Sequence, residues 1–445
     1  MSGPVGDNVY RASGVIAAAA GGGGAVSWQT DSIKVTGDSP VTGVAGEGYF
    51  MNTAAGAITL NLPAGVAGDI IAVTDYTRTF GTNTLTVAPN GAEKLGGVAA
   101  DGVLNVDGQA ATFVYVDSTE GWINIQETQT TLTGNDKIVA TGGNSVIIDG
   151  SYKIHAFTSP GTFCVATAAQ CGPDNVVDFA VMGGGGGGGG CAHAGGGGAG
   201  GFRIYDQLSP CAQTSPLNNY PSGCSVTVTA TAYPIVIGAG GGGGGPGGGG
   251  PGSPGGLGAN GTVSTFSTIS SAGGGAGTYG TPGTDGGSGG GSGAYQTGYG
   301  SGNTPPTCPP QGQNGGQGSP SAPAYGAGGG GGAGAVGANG SGSATGPGGV
   351  GSYISEAFIG TCCSGCYGTP GPVGSTRYFT GGGGGAGYNT PSAPGGAGGG
   401  GAGAYSGGVA GTANTGGGGG GSERGGPAIG GTGGSGVVLI KYKYT

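Results

Sequence analysis

Met182-Gly183-Gly184-Gly185-Gly186-Gly187-Gly188-Gly189-Gly190-Cys191 is the stretch on which the reading of this chain turns. Eight consecutive glycines bring no side chain to bury, and glycine loses more backbone freedom on ordering than any other residue. Further runs follow, such as residues 241–245, broken by Pro, Ser, Ala and Tyr; of 125 glycines in 445 residues, 98 lie after position 180. No ordinary core forms from such a chain. It either stays disordered or is held by its backbone, with extended three-residue helices packed side by side so that N–H and C=O groups of neighbours pair.

Charge favours order. Disordered chains are rich in charge and poor in apolar residues. After residue 181 the chain carries Arg203, Arg377, Arg424, Lys441 and Lys443 against Asp206, Asp285, Glu356 and Glu423, so that part is nearly neutral and the acidic excess behind the net charge of −9 lies in residues 1–180. Charges are costly where backbones press into a dry array, whereas a linker has no reason to avoid them. Collagen is excluded by register, because it needs glycine at strict intervals of three and Pro246, Pro251 and Pro254 are spaced by five and then three.

Working outward, residues 1–25 combine no basic segment with a long apolar stretch and read as a docking or flexible peptide without a signal or transmembrane segment. Residues 26–129 carry short apolar runs separated by Gly, Pro, Asn and Asp: 57–62, 70–73, 85–87, 103–106, 111–116 and 122–125. Asn90-Gly91 and Asp107-Gly108 are the strongest turn positions. Trp122 and Tyr115 read as core or subunit-interface aromatics, with a binding pair as the alternative. Residues 130–182 are a β linker with strands at 146–148, 152–157 and 176–181, Ser159-Pro160-Gly161 being a turn. Residues 183–435 form the glycine domain and 436–445 a closing strand, expected to pair with those before the tract. Residues 225–228 with 233–237, and 263–269, are expected to complete that sheet. The fold class is thus an all-β N-terminal module followed by a glycine-rich domain of packed polyglycine II helices with a small accessory β-sheet and essentially no α-helix.

Residues 152–161, 176–190, 233–241, 261–269 and 433–442 together resemble successive signatures of the glycine-rich domain of bacteriophage tail-fibre and adhesin proteins. Residues 48–125, especially Gly68-Asp69, Asn90-Gly91, Tyr115-Val116 and Gly121-Trp122, resemble the small β module that precedes it in marine phage fibres. The resemblance implies a polyglycine II sandwich whose loops touch host receptors, in a homotrimer attached to other virion or tail proteins through its N-terminal region. It places the protein on the virion, in a tail or external fibre assembled in the host cytoplasm. The implied receptor is a host surface glycan or an outer-membrane protein; nucleic acid is not an expected partner. This chain departs by its loop cysteines and by polar inserts near 205–224 and 301–323.

Tyrosine offers broad contact and a hydroxyl with few rotors. Tyr205, Asn218, Tyr220, Tyr295, Tyr299, Asn303, Tyr325 and Tyr367 are the candidate receptor contacts, with packing over a glycine segment as the alternative for each tyrosine. His155 sits in a strand pattern and reads as structural; His193, between Ala192 and Ala194, is a possible contact. Neither stands beside an acid in a catalytic spacing, no convergent Asp/Glu pair appears, and the glycine runs lack the strand–helix setting of a phosphate loop. No enzyme activity and no cofactor are expected. Cys164 with Cys171, and Cys211 with Cys224, bracket short excursions and are candidate disulfides. Cys362-Cys363-Ser364-Gly365-Cys366 offers thiolates, but four-coordinate zinc needs a further donor, and disulfides or buried thiols are the alternatives, so no metal site is assigned. A purely architectural fibre or capsid decoration is the competing function.

Overall fold

The computed structural model describes residues 26–126, 137–169, 172–207, 215–221, 223, 225–246, 256–360, 365–374, 376–388, 391–423 and 428–444. The docking peptide at 1–25 lies outside them. The chain divides into two compact units, Met1–Val139 with Thr167–Asn175, and Ala140–Ala166 with Val176–Thr445. Among the described residues it is nearly all β, with one short helix, Glu356–Ile359, capped by the Ser355 side chain.

In the first unit the chain passes back and forth between two sheets. One contains Ser27–Trp28, Lys34–Val35, Glu47–Asn52, Ile70–Asp75, Ala110–Asp117 and Gly121–Asn124; the other contains Val41–Thr42, Ile58–Asn61, Leu85–Ala88 and Gly102–Leu104. Glu47–Asn52 runs parallel to Ile70–Asp75, and Ile58–Asn61 parallel to Leu85–Ala88. Parallel neighbours cannot be joined by a two-residue turn, and here the chain crosses to the other sheet between them. Period-two alternation turns Ile58 and Leu60 inward, onto a core with Met51, Phe80, Val87 and Phe113. Trp122 belongs to that core. It is fully buried, its indole N–H donates to Glu93 at 3.2 Å, and Tyr115 packs on it edge-on at 5.5 Å.

In the second unit, Tyr152–Phe157, Val437–Lys443 and Val176–Met182 lie antiparallel in that order, flanked by Ser145–Asp149 and Phe202–Tyr205. The strands before and after the glycine tract therefore pair, as expected from their patterns. A separate sheet contains Gly161–Thr167, Ala232–Val236, Ser264–Phe266 and Ile269–Ser271. Residues 233–237 and 263–269 thus do not complete the sheet of the closing strand as expected, whereas Val226–Thr227 pairs with Val176-Val177. Two further strand expectations change here. Residues 263–269 are not one strand, because Ser267 takes φ 52° and folds them into a hairpin. Gly161 does not merely end a turn: it opens a strand that turns Phe163 and Val165 inward.

Between and beyond these sheets the chain is held by its backbone. The amides of Gly183, Gly186 and Gly189 donate to Gly201, Gly198 and Gly195; those of Gly184, Gly187 and Gly190 to Thr262, Ala259 and Gly256; those of Gly185 and Gly188 to Gly434 and Gly431. All eight bonds measure 2.8–3.0 Å. Carbonyls of the same run accept from Gly274 and Gly277, from Gly241 and Gly244, and from Gly419 and Ser422. Each glycine thus faces a different neighbour, every third returns to the same one, and the fully buried run is surrounded by six segments. A repeat of three is that of an extended helix with three residues per turn, in which amides point outward in three directions. Residues 195–201 and 381–386 repeat the pattern: Gly381 and Gly384 donate to Gly398 and Gly401, Gly382 and Gly385 to Gly349 and Gly346, and Gly383 and Ala386 to Gly197 and Ala194.

Candidate functional site

The bonding register places the loops. Residues 183–190 leave the strand Val176–Met182, and 195–201 return antiparallel to the strand Phe202–Tyr205, so Cys191-Ala192-His193 turns at the end remote from the sheet. The amides of Gly274 and Gly277 bond Gly184 and Gly187 in parallel, which carries Tyr279 to that same end. Those of Ser288, Gly291 and Ala294 bond Ala199, Gly196 and His193, and so bring Tyr295 there. By the same logic the bonds of Gly328 to Ser292, Gly383 to Gly197 and Ala404 to Gly421 deliver Tyr325, Tyr388 and Tyr405.

At this end four rings meet. The His193 imidazole stacks on Tyr325 at 5.8 Å between centroids, meets Tyr388 edge-on at 6.0 Å and Tyr295 at 6.3 Å, and Tyr295 stands 6.0 Å from Tyr325. Tyr295 and Tyr388 are about half exposed, whereas Tyr279 beneath them is buried. Burial pushes the Tyr279 hydroxyl pKa up, helped by Tyr295 and Cys191, and burial pushes the His193 pKa down. Nδ1 of His193 is buried without a hydrogen-bond partner. Four residues here hold left-handed backbone: Cys191 at φ 65°, Ala192 at 32°, His193 at 59° and Tyr325 at 44°. Such conformations cost non-glycine residues roughly 1–2 kcal/mol each and persist where surrounding structure imposes them.

The eight candidate contacts separate. Tyr295 and Tyr325 belong to this cluster, and Tyr299 is exposed in the loop after Tyr295. The others lie elsewhere. Tyr205 is buried against Phe179 with Tyr220 edge-on at 5.6 Å, and Tyr220 is exposed. The Asn218 amide bonds the Asp206 backbone in both directions. Asn303 accepts from Thr307 and Gln311 and closes its own loop, and Tyr367 bonds Ser145 at 2.6 Å and packs against the core. Sequence reasoning passed over Tyr388, Tyr279 and Tyr405, although each ends a glycine run.

Cys164 is an exposed free thiol, while Cys171, Cys211 and Cys224 lie outside the described residues. Cys366 is disulfide-bonded. Among the described residues no group of three His, Cys, Asp or Glu side chains is placed to hold a metal, and no helix is long and apolar enough to cross a membrane. His155 is buried at the sheet, Nδ1 donating to Gly142 O at 2.6 Å and Nε2 lying 3.1 Å from the Tyr442 hydroxyl. Burial drives its pKa below the ordinary 6.5, with the Gly142 carbonyl opposing and Lys153 assisting. Both histidines therefore refuse protons that the unfolded chain accepts. Their contribution to stability is present above about pH 6.5 and is lost as pH falls below it. Melting temperature is expected to drop between about pH 7 and about pH 5, and to drop less in His155→Gln; the same drop in both proteins would remove His155 from the account.

Comparison with curated proteins finds no match. The glycine-rich domain family matches residues 158–443, well over half of the sequence. The chain therefore belongs to the glycine-rich domain family.

Proposed function

We propose that this chain is a virion fibre or adhesin whose glycine-rich domain displays receptor-contacting loops from a rigid scaffold. The observation that carries this reading is the three-residue hydrogen-bond repeat, which gathers loops far apart in sequence into one aromatic end. The repeat also supports reading the runs as polyglycine II helices. Loops held at both ends by bonded segments lose little freedom on binding, so contact energy is not spent on ordering them. The homotrimeric state, attachment through the N-terminal region, and location on a tail or external fibre come into this reading from the resemblance alone. Catalysis has no part in it.

Replacing residues 295–299 by a Gly/Ser segment of equal length tests the reading on particles. Adsorption to host cells is expected to fall by about tenfold or more, because aromatic anchors dominate binding, while particles assemble normally. Unchanged adsorption, with the altered protein confirmed on the particle, favours the purely architectural fibre.

A further inference from the structure

We propose that the cluster of His193, Tyr295, Tyr325 and Tyr388 binds a neutral pyranose of a surface glycan; the proposal rests on the adhesin reading and names its ligand. Three observations select this chemistry. The first is charge. Residues 191–193, 279–282, 295–299, 319–325, 387–392 and 405–407 carry no Asp, Glu, Lys or Arg. Close by, Glu423 is 4% exposed, and Arg424 next to it lies outside the described residues. Apart from that buried Glu423, the described residues of these loops present no charged side chain to an ionic ligand.

The second observation is ring geometry. Aromatic faces are electron-rich, and the C–H bonds on the apolar face of a pyranose are polarised positive, so the two surfaces attract in water. Tyr295 and Tyr388, each about half exposed and each in ring contact with His193, offer such faces, while their hydroxyls provide donors and acceptors for sugar hydroxyls. Four rings within 6.3 Å of their neighbours span one or two sugar rings. A stable protein interface needs roughly 800 Å² per partner and commonly centres on arginine as well as aromatics. A protein loop is thus the less favoured occupant.

The third is the imidazole. Its Nδ1 is buried without a hydrogen-bond partner, so the ring meets a ligand as a packed flat surface rather than as a polar group. The left-handed turn at 191–193 holds His193 in this place against backbone preference.

The test uses the full chain and a panel of neutral oligosaccharides (maltohexaose, cellohexaose, mannohexaose and chitohexaose) beside colominic acid, with saturation-transfer NMR and calorimetry. Saturation of aromatic protons is expected to reach the C–H groups of at least one neutral oligosaccharide and not colominic acid. Tyr388→Ala and Tyr295→Ala, both at half-exposed positions, are expected to weaken that binding by about tenfold or more, and Tyr220→Ala to leave it unchanged. The proposal is overturned by a folded chain that binds none of the neutral sugars, or by binding that survives both cluster substitutions. It is also overturned if adsorption to cells is abolished by protease and untouched by periodate, which oxidises sugar diols. In that last case the adhesin reading stands with a protein as receptor; loss of adsorption dependence on residues 295–299 is what removes the reading itself.

Discussion

Gly186→Val is expected to unfold the glycine domain or melt it far below the parent. A Cβ at Gly186 falls on the carbonyl of Gly275, a backbone group that cannot move aside without breaking its own bonds. The same residue donates to Gly198 and accepts from Gly419 in a fully buried run, so pushing neighbours apart strands buried polar groups as well. Each orphaned group costs about 1–3 kcal/mol and forced overpacking a similar amount. Their sum rivals the roughly 5–15 kcal/mol that holds a typical domain together. Gly242 is the control within the same array: it is exposed, and a Cβ there meets nothing within 4 Å. Gly242→Ala is expected to match the parent or exceed it slightly, since alanine narrows the unfolded ensemble. Thermal melts and amide exchange decide the matter, and equal stability of Gly186→Val and Gly242→Ala would sink the packing account.

Lys441→Ala is expected to cost about 3–5 kcal/mol, the toll of removing one member of a buried charge group. Lys441 is 2% exposed on the closing strand, its ammonium donating to Ala357 O at 2.7 Å and lying 4.6 Å from the Tyr152 ring centre. Burial lowers its pKa, and the carboxylates of Asp206, Asp178 and Asp149 oppose that shift. Asp178 is its register partner on Val176–Met182, fully buried, with Gln207 N donating to both oxygens. Without the cation that carboxylate keeps its hydrogen bonds and loses its counter-charge. Denaturant unfolding of the full chain gives the value; a loss below about 1 kcal/mol, the range of exposed pairs, would show that Lys441 is no such partner.

Much of this architecture was legible because it follows from what glycine lacks. Runs without side chains and charges pointed to backbone bonding, and the alternation in Tyr152–Phe157 and Val437–Lys443 pointed to strands that pair. The site was only half legible. Tyr295 and Tyr325 stand out in the sequence as loop tyrosines, but the polarity of Asn218 and Asn303 is spent within their own loops, as is usual for Asn in turns. His193 and Tyr388 are 195 positions apart and are brought together by the bonds of Gly383 to Gly197 and Ala386 to Ala194. The available signal was phase. Counted outward from the sheet, His193, Tyr279, Tyr295 and Tyr388 all follow a run of similar length, and equal lengths bring run ends level. The hairpin at Ser267 carried no such mark, since no Gly or Asn stands at the residue that takes positive φ.

Amides that return to the same neighbour every third residue make length in this scaffold a quantised property. Deleting one glycine from 183–190 turns every later amide by about 120° and aims it at a different segment, while deleting three shortens the run by one turn and restores each partner. Point changes in the loops leave that arithmetic untouched. Inheritance in such a molecule separates into two alphabets, one of counts that must move in steps of three, and one of loop residues free to vary singly.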